Sequence, residues 1–163
     1  MNTSALSILD LAALRWLNTV LLDEVDPGAA NPWDVACSRD GRGLCVSHSG
    51  THELSIIDRP ALHRKLESVA AGPLASDALS GPQDVSSDLS FLVDLRRRVR
   101  LPGNGPRGIT VVGQTLCVAE YFSDSLAAVE LGAEPNGSSM TPTSAFNRGK
   151  AAPVATRTPA LMA

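Results

Sequence analysis

Aromatic residues are scarce in this chain: two Trp, one Tyr and three Phe, 4% of 163 residues. Packing must therefore rest on aliphatic side chains, because ring-rich cores need many more large aromatics. Cysteine is scarcer still, at three residues, and none stands in a CxxC, CxxCH or zinc-finger spacing. That pattern excludes c-type haem attachment, a thioredoxin-like dithiol and a cysteine-rich zinc site within this sequence, and no cofactor is expected. Positive charge is not in excess: 14 Lys and Arg stand against 17 Asp and Glu, a net charge of −3. Phosphate binding needs clustered cations, so the balance argues against a nucleic-acid partner. The one basic run, Arg96-Arg97-Arg98-Val99-Arg100, reads as a solvated or edge-strand face. No apolar run is long enough to span a membrane, since Ala5 to Leu22 is broken by Asp10, Arg15 and Asn18. The same stretch has no basic start and no clean cleavage site, so it is a poor secretory signal.

What the chain has instead is turn chemistry and repetition. Gly103 to Leu131 reads GNGPRGITVVGQTLCVAEYFSDSLAAVEL, and Asn31 to Asp58 reads NPWDVACSRDGRGLCVSHSGTHELSIID. With Pro32 set on Pro106 the order matches. Each copy has a Pro, a short strand (Trp33 to Ser38; Arg107 to Val112) and a Gly-bearing turn. A second strand opens with LCVS or LCVA, a polar turn follows, and a third strand ends at an acidic residue, Asp58 or Glu130. Alternating aliphatic runs bounded by turn residues predict a small antiparallel sheet per copy. Asp40-Gly41 supplies a strong hairpin signal in the first copy, and Gly113-Gln114 a weaker one in the second.

The pattern GPRGI…LCVAEYFSDSLAAVEL resembles the YVTN-type β-propeller repeat of bacterial surface and periplasmic proteins. Val46-Ser47-His48-Ser49 and Val118-Ala119-Glu120-Tyr121 stand where the second strand of that repeat ends. The resemblance covers about Leu17 to Leu131. It implies an all-β fold, an incomplete β-propeller of about two antiparallel blades. It also implies a periplasmic or extracellular location.

Taken in order, residues 1–16 predict a short N-terminal helix, with Leu6, Ile8, Leu9, Leu11 and Leu14 as its apolar positions and Asn2-Thr3-Ser4 as its cap. Leu17 to Asp23 predicts a strand. The partial propeller then runs over 17–131. It is interrupted by an insertion at 60–88: a helix from Pro60 to Val69, with Pro in the first turn, then a loop over Ala71 to Asp88. Ser90 to Leu101 predicts one or two strands. Residues 132–163 are Gly, Pro, Ser, Thr and Ala with almost no rings, and predict a disordered tail.

Several residues bear on chemistry. His48 and His52 flank the turn after the second strand of copy one, and Glu120 and Asp124 take the corresponding places in copy two. Together they are the candidates for a metal at one rim, set against a plain role as polar turn residues, which the pattern favours. Cys45 and Cys117 occupy one repeat position, which suits a small buried residue. Cys37 can face Cys45 across the hairpin, so a disulfide is one possibility. Trp33 is expected to pack between blades, with Arg107 in its place in copy two. Gly103, Gly105 and Gly108 look like a phosphate loop, but no helix follows, so they are read as turn residues.

The functional expectation is a non-catalytic binding or scaffold module, a fragment of a larger propeller. Its partner is another protein, or a further copy through the open blade faces. The alternative comes from a second resemblance. THELSIID, GNGPRG and VAEYFSDSL are similar to propellers that precede a di-haem cytochrome c peroxidase-like domain. On that basis the chain is the propeller remnant of a redox protein whose haem domain is absent here.

Overall fold

The computed structural model describes residues 3–71 and 85–131, with the backbone of 143–147. Most of the loop expected at 71–88 and most of the tail expected at 132–163 lie outside the described residues.

The repeat becomes two four-stranded antiparallel sheets. In the first, β3 (Pro32–Cys37), β4 (Gly43–His48), β5 (Glu53–Asp58) and β6 (Arg96–Arg100) follow one another edge to edge. In the second, β7 (Pro106–Val112), β8 (Thr115–Glu120), β9 (Ser125–Glu130) and β10 (Thr143–Asn147) do the same. This is the strand plan of an all-β, propeller-like blade pair. Position by position the copies align as the sequence predicts: Cys45 pairs with Ile56 and Cys117 with Ala128, Val46 with Ser55 and Val118 with Ala127. Local chemistry closes the turns. Gly41 sits at φ +68°, and Asp40 Oδ1 accepts hydrogen bonds from Ser38 Oγ at 2.6 Å and Arg42 N at 3.0 Å. Gly113 takes φ +65° in the matching turn.

Helix α1 (Arg59–Ala70) forms where the insertion begins. Asp58 caps it, accepting a hydrogen bond from Ala61 N at 2.9 Å, and Pro60 lies in the first turn. Its Leu62 and Leu66, four residues apart, are buried. The helical part of the insertion thus belongs to the core.

Two expectations are corrected, and one open alternative, the disulfide, is decided. Residues 1–16 do not form a helix. Ala5–Asp10 (β1) and Arg15–Leu21 (β2) form an antiparallel hairpin. Asp10 Oδ1 accepts from Ala12 N and Ala13 N, both at 3.0 Å, and Leu14 closes the turn at φ +50°. Leu6 and Ile8 then share one face and pack on the core, so strand alternation overrides the helical spacing of the leucines. Cys37 and Cys45 are not bonded. Cys37 pairs with Leu44 and Ala36 with Cys45, so the two thiols point to opposite faces. Within the stretch expected to be a disordered tail, Thr143–Asn147 pairs antiparallel with β9 and completes the second blade.

Two cores result. One lies between the hairpin and the first blade: Val20, Leu22, Val46, Ile57, Phe91 and Leu92, joined by Leu62 and Leu66. The other lies between the blades: Cys45, Leu54 and Val99 against Leu116, Val118, Ala127 and Val129. The basic run is the outer edge strand β6, yet two of its arginines are not solvated. Arg96, its side chain 1% exposed, donates to the Leu22 carbonyl and pairs with Glu24. Arg98 donates to Glu53 and to the Pro27 and Gly28 carbonyls. They fasten the hairpin to the first blade. Among the described residues, no helix is long and apolar enough to cross a membrane.

Candidate functional site

The first strands β3 and β7 lie side by side, and both begin at a Pro. The next residues, Trp33 and Arg107, therefore stand at the same end of the blade pair. A polar latch fixes their spacing. Ser47 Oγ donates to the Arg107 carbonyl at 2.7 Å and accepts from Asp34 N at 3.1 Å. Asp34 Oδ2 in turn accepts from Ile109 N at 2.9 Å. Backbone groups of β7 that would otherwise be unpaired are thus satisfied by the neighbouring blade.

Above this latch the turn Tyr121–Ser123 folds back over the loop before β7. Tyr121 N donates to the Gly105 carbonyl at 3.0 Å and Phe122 N to the Asn104 carbonyl at 3.1 Å. Gly105 is required here: it sits at φ +63°, and a Cβ on it would lie 2.2 Å from Phe122 Cδ2. His52 Nδ1 accepts from Gly105 N at 2.9 Å, which ties the loop to the first blade.

The outcome is a cationic centre walled by rings. The Arg107 guanidinium lies 4.3 Å from the Trp33 ring centre, 3.9 Å from that of Tyr121 and 5.4 Å from that of Phe122. Tyr121 and Phe122 meet edge to face at 5.3 Å. The rings remain open to solvent: Trp33 is 58%, Tyr121 60% and Phe122 65% exposed. Arg107 Nε is buried without a hydrogen-bond partner. In a chain this poor in aromatics, three of the six gather at one exposed spot. Trp33 does not pack between the blades as expected. Tyr121 and Phe122 were not singled out by residue type. The signal available was Arg107 at the repeat position of Trp33, beside a Tyr-Phe pair in an otherwise polar turn.

The metal candidates have other tasks. His48 is fully buried, and its Nε2 lies 2.8 Å from Ser55 Oγ. Burial, then the nearby Arg98 and Arg96, push its imidazole down to about 4. Glu120 accepts from Gly103 N at 2.6 Å and from Ser125 Oγ at 2.6 Å. His52 holds Gly105, and Asp124 supplies the left-handed residue, φ 48°, that starts β9. Among the described residues, no three His, Cys, Asp or Glu side chains converge as metal ligands. The His48–Ser55 pair has the spacing of a base and a nucleophile, but both residues are fully buried and no substrate could reach them. Gly103, in the phosphate-loop-like stretch, gives its N–H to the chain's own Glu120, and a Cβ there would fall 2.4 Å from that carboxylate.

No protein-family model and no curated protein matches the sequence. Among solved structures, a chain of hydrazine synthase from Kuenenia stuttgartiensis is similar, with a TM-score of 0.62 and 21% identity. The match covers 81% of this chain and 36% of that one, so this chain spans about a third of the length of that protein. The likeness is one of fold and supports a propeller-like arrangement of the blades.

Proposed function

We propose that the chain is a non-catalytic β-propeller scaffold of the YVTN type that binds a protein partner at the Trp33, Arg107, Tyr121, Phe122 rim. The observation that supports this is the exposure of three rings around a guanidinium, on a site held rigid by the Ser47–Asp34 latch. Trp, Tyr and Arg are the residue types that carry most interface energy. Arg107 is half-buried, and among the described residues no carboxylate pairs with its guanidinium, so a carboxylate on the partner would supply the missing counter-charge. The YVTN resemblance is what supports a periplasmic or extracellular site of action.

The test is a peptide-display selection on the purified chain, counter-selected against Arg107→Ala. Binding is then followed by Trp33 fluorescence in a Trp16→Phe background. Peptides that carry Asp or Glu, change Trp33 emission and lose at least tenfold in affinity with Arg107→Lys are the expected result. Lysine cannot form the bidentate, ring-stacked contact. Selected peptides that bind Arg107→Ala equally well would remove the rim from the account.

One observation favours a second possibility, that the chain is the propeller part of a redox protein. The similar solved chain belongs to an enzyme and is much longer than the matched portion. Recovery of the protein from its native cells on a longer, haem-staining polypeptide would support it. Recovery as a haem-free species of 163 residues would end it.

A further inference from the structure

The repeat gives each face of the second blade a counterpart in the first. Cys45, Ser47 and Leu54 lie on one face of the first blade and are fully buried, because the second blade covers them. Their register equivalents are Cys117, Ala119 and Leu126, with Ala128 in place of Ile56. On this face nothing among the described residues provides equivalent cover: Leu126 is 42% exposed, and Val112, on the same face at the other end of the sheet, 63%. The face also lacks the latch. Gly108 replaces Asp34 and Ala119 replaces Ser47. It is therefore a shallow surface of small and mostly apolar residues, with Thr110 beside Cys117 and the hydrogen-bonded Thr115–Glu130 pair at one edge.

The opposite end of the stack has the complementary character. The hairpin precedes β3 as β5 and β6 precede β7, so β1 and β2 hold the place of the last two strands of a preceding blade. Their inner face, Leu6 and Ile8, packs on the first blade. Their outer face carries Leu9 directly opposite Trp16, 59% and 58% exposed. Leu11 and Leu14 at the tip are 80% and 88% exposed. Polar groups of this face pair with one another: Thr19 Oγ1 lies 2.9 Å from Ser7 Oγ and accepts from Trp16 Nε1 at 3.2 Å. One end of the molecule thus presents bulky apolar side chains and the other a shallow apolar floor. The two surfaces are also of the kinds that meet inside the chain, the trailing face of one blade against the leading face of the next.

We propose that the open face of the second blade, around Leu126, Ala119 and Cys117, docks the outer face of the β1–β2 hairpin of a second copy, around Trp16 and Leu9. The contact is heterologous, so each copy leaves one face of each kind free. Assembly continues to a closed ring or a filament instead of stopping at a dimer. It uses surfaces separate from the rim.

Sedimentation velocity on the full chain over a range of concentrations tests this, with Trp16→Glu on one face and Leu126→Glu on the other. Val112→Glu serves as a second open-face variant at a more exposed position, and far-UV circular dichroism checks the fold of each. Wild-type protein is expected to grow past the dimer as concentration rises. Each single variant is expected to stay a monomer. An equal mixture of Trp16→Glu and Leu126→Glu is expected to give a dimer and nothing larger, because each supplies the face the other lacks. A wild-type monomer at the highest soluble concentration would overturn the proposal. So would a dimer that survives Trp16→Glu, which would mean that something other than the hairpin covers the open face.

Discussion

Leu54 in the first blade exposes no surface, whereas Leu126, at the same place in the second, exposes 42%. The two residues have the same side chain at the same position of the third strand. What differs is the neighbour. The first blade is sandwiched between the hairpin with α1 on one side and the second blade on the other. Among the described residues the second blade has only the first. Repeat units gain most of their stability from stacking, so the two copies should respond differently to the same change.

Leu54→Ala against Leu126→Ala is the sharpest way to break that comparison. Leu54→Ala empties a filled site and should cost about 2–5 kcal/mol in denaturant unfolding. Leu126→Ala should cost well under half as much, because part of its side chain is already in water. Equal costs would show that the second face is covered after all.

A similar size of effect is expected from pH at His48. Its ring titrates near 4 in the fold against 6.5 when free. Between those values the unfolded chain binds the proton and the folded chain does not. Stability from this group is therefore complete above about pH 6.5 and declines as pH falls toward 4, by about 3 kcal/mol in all. His48→Gln should flatten the stability profile over that window. The second blade has Glu120 in place of this histidine.

Ser47→Ala comes next. It removes the acceptor for Asp34 N and the donor to the Arg107 carbonyl, and should cost about 1–3 kcal/mol. The second blade already carries Ala119 at this position, and Ala119→Ser should gain nothing. A gain would mean that a latch partner is present on the open face.

The smallest expected effect separates two glycines. Gly105 and Gly113 share a positive φ, but a Cβ on Gly105 meets the Phe122 ring while one on Gly113 meets open space. Gly113→Ala should cost about 1 kcal/mol from backbone strain alone. Gly105→Ala should cost more and shift the rim rings, which the fluorescence of Trp33 would report.

The blades were legible in the sequence because period-2 runs, Asp40-Gly41 and the LCV tripeptides recur in order. Helix α1 was legible from Pro60, a residue preset for a first turn, whereas its cap, Asp58, read only as the end of a strand. The hairpin was not. Leu6, Leu9, Leu11 and Leu14 fit a helical stripe, and the features that decide against it are a side-chain turn at Asp10 and a left-handed Leu14, which no spacing reveals. The fates of Arg96 and Arg98 were also hidden, because the carbonyls they serve lie some 70 residues away on the loop after β2. The rim was half visible. Trp33 and Arg107 stood out as a repeat pair, but that they meet depends on the stacking of β3 on β7. The metal candidates failed to converge for a related reason: His48, His52 and Glu120 are each taken up by a backbone N–H or hydroxyl created by the fold itself, and Asp124 serves as a left-handed turn residue.

The central claim is that one face of the second blade is open where its counterpart is closed, and two cysteines report on it. Cys45 and Cys117 hold the same repeat position. Cys45 is fully buried, and burial pushes its thiol up to about 11; Cys117 is half-buried. The measurement is the rate of thiol modification of each in a Cys37→Ser background, at a dilution where sedimentation shows monomers. Cys117 should react at least tenfold faster than Cys45, which should react only as fast as the protein unfolds. Equal rates would contradict the account and mean that the two blades are covered alike.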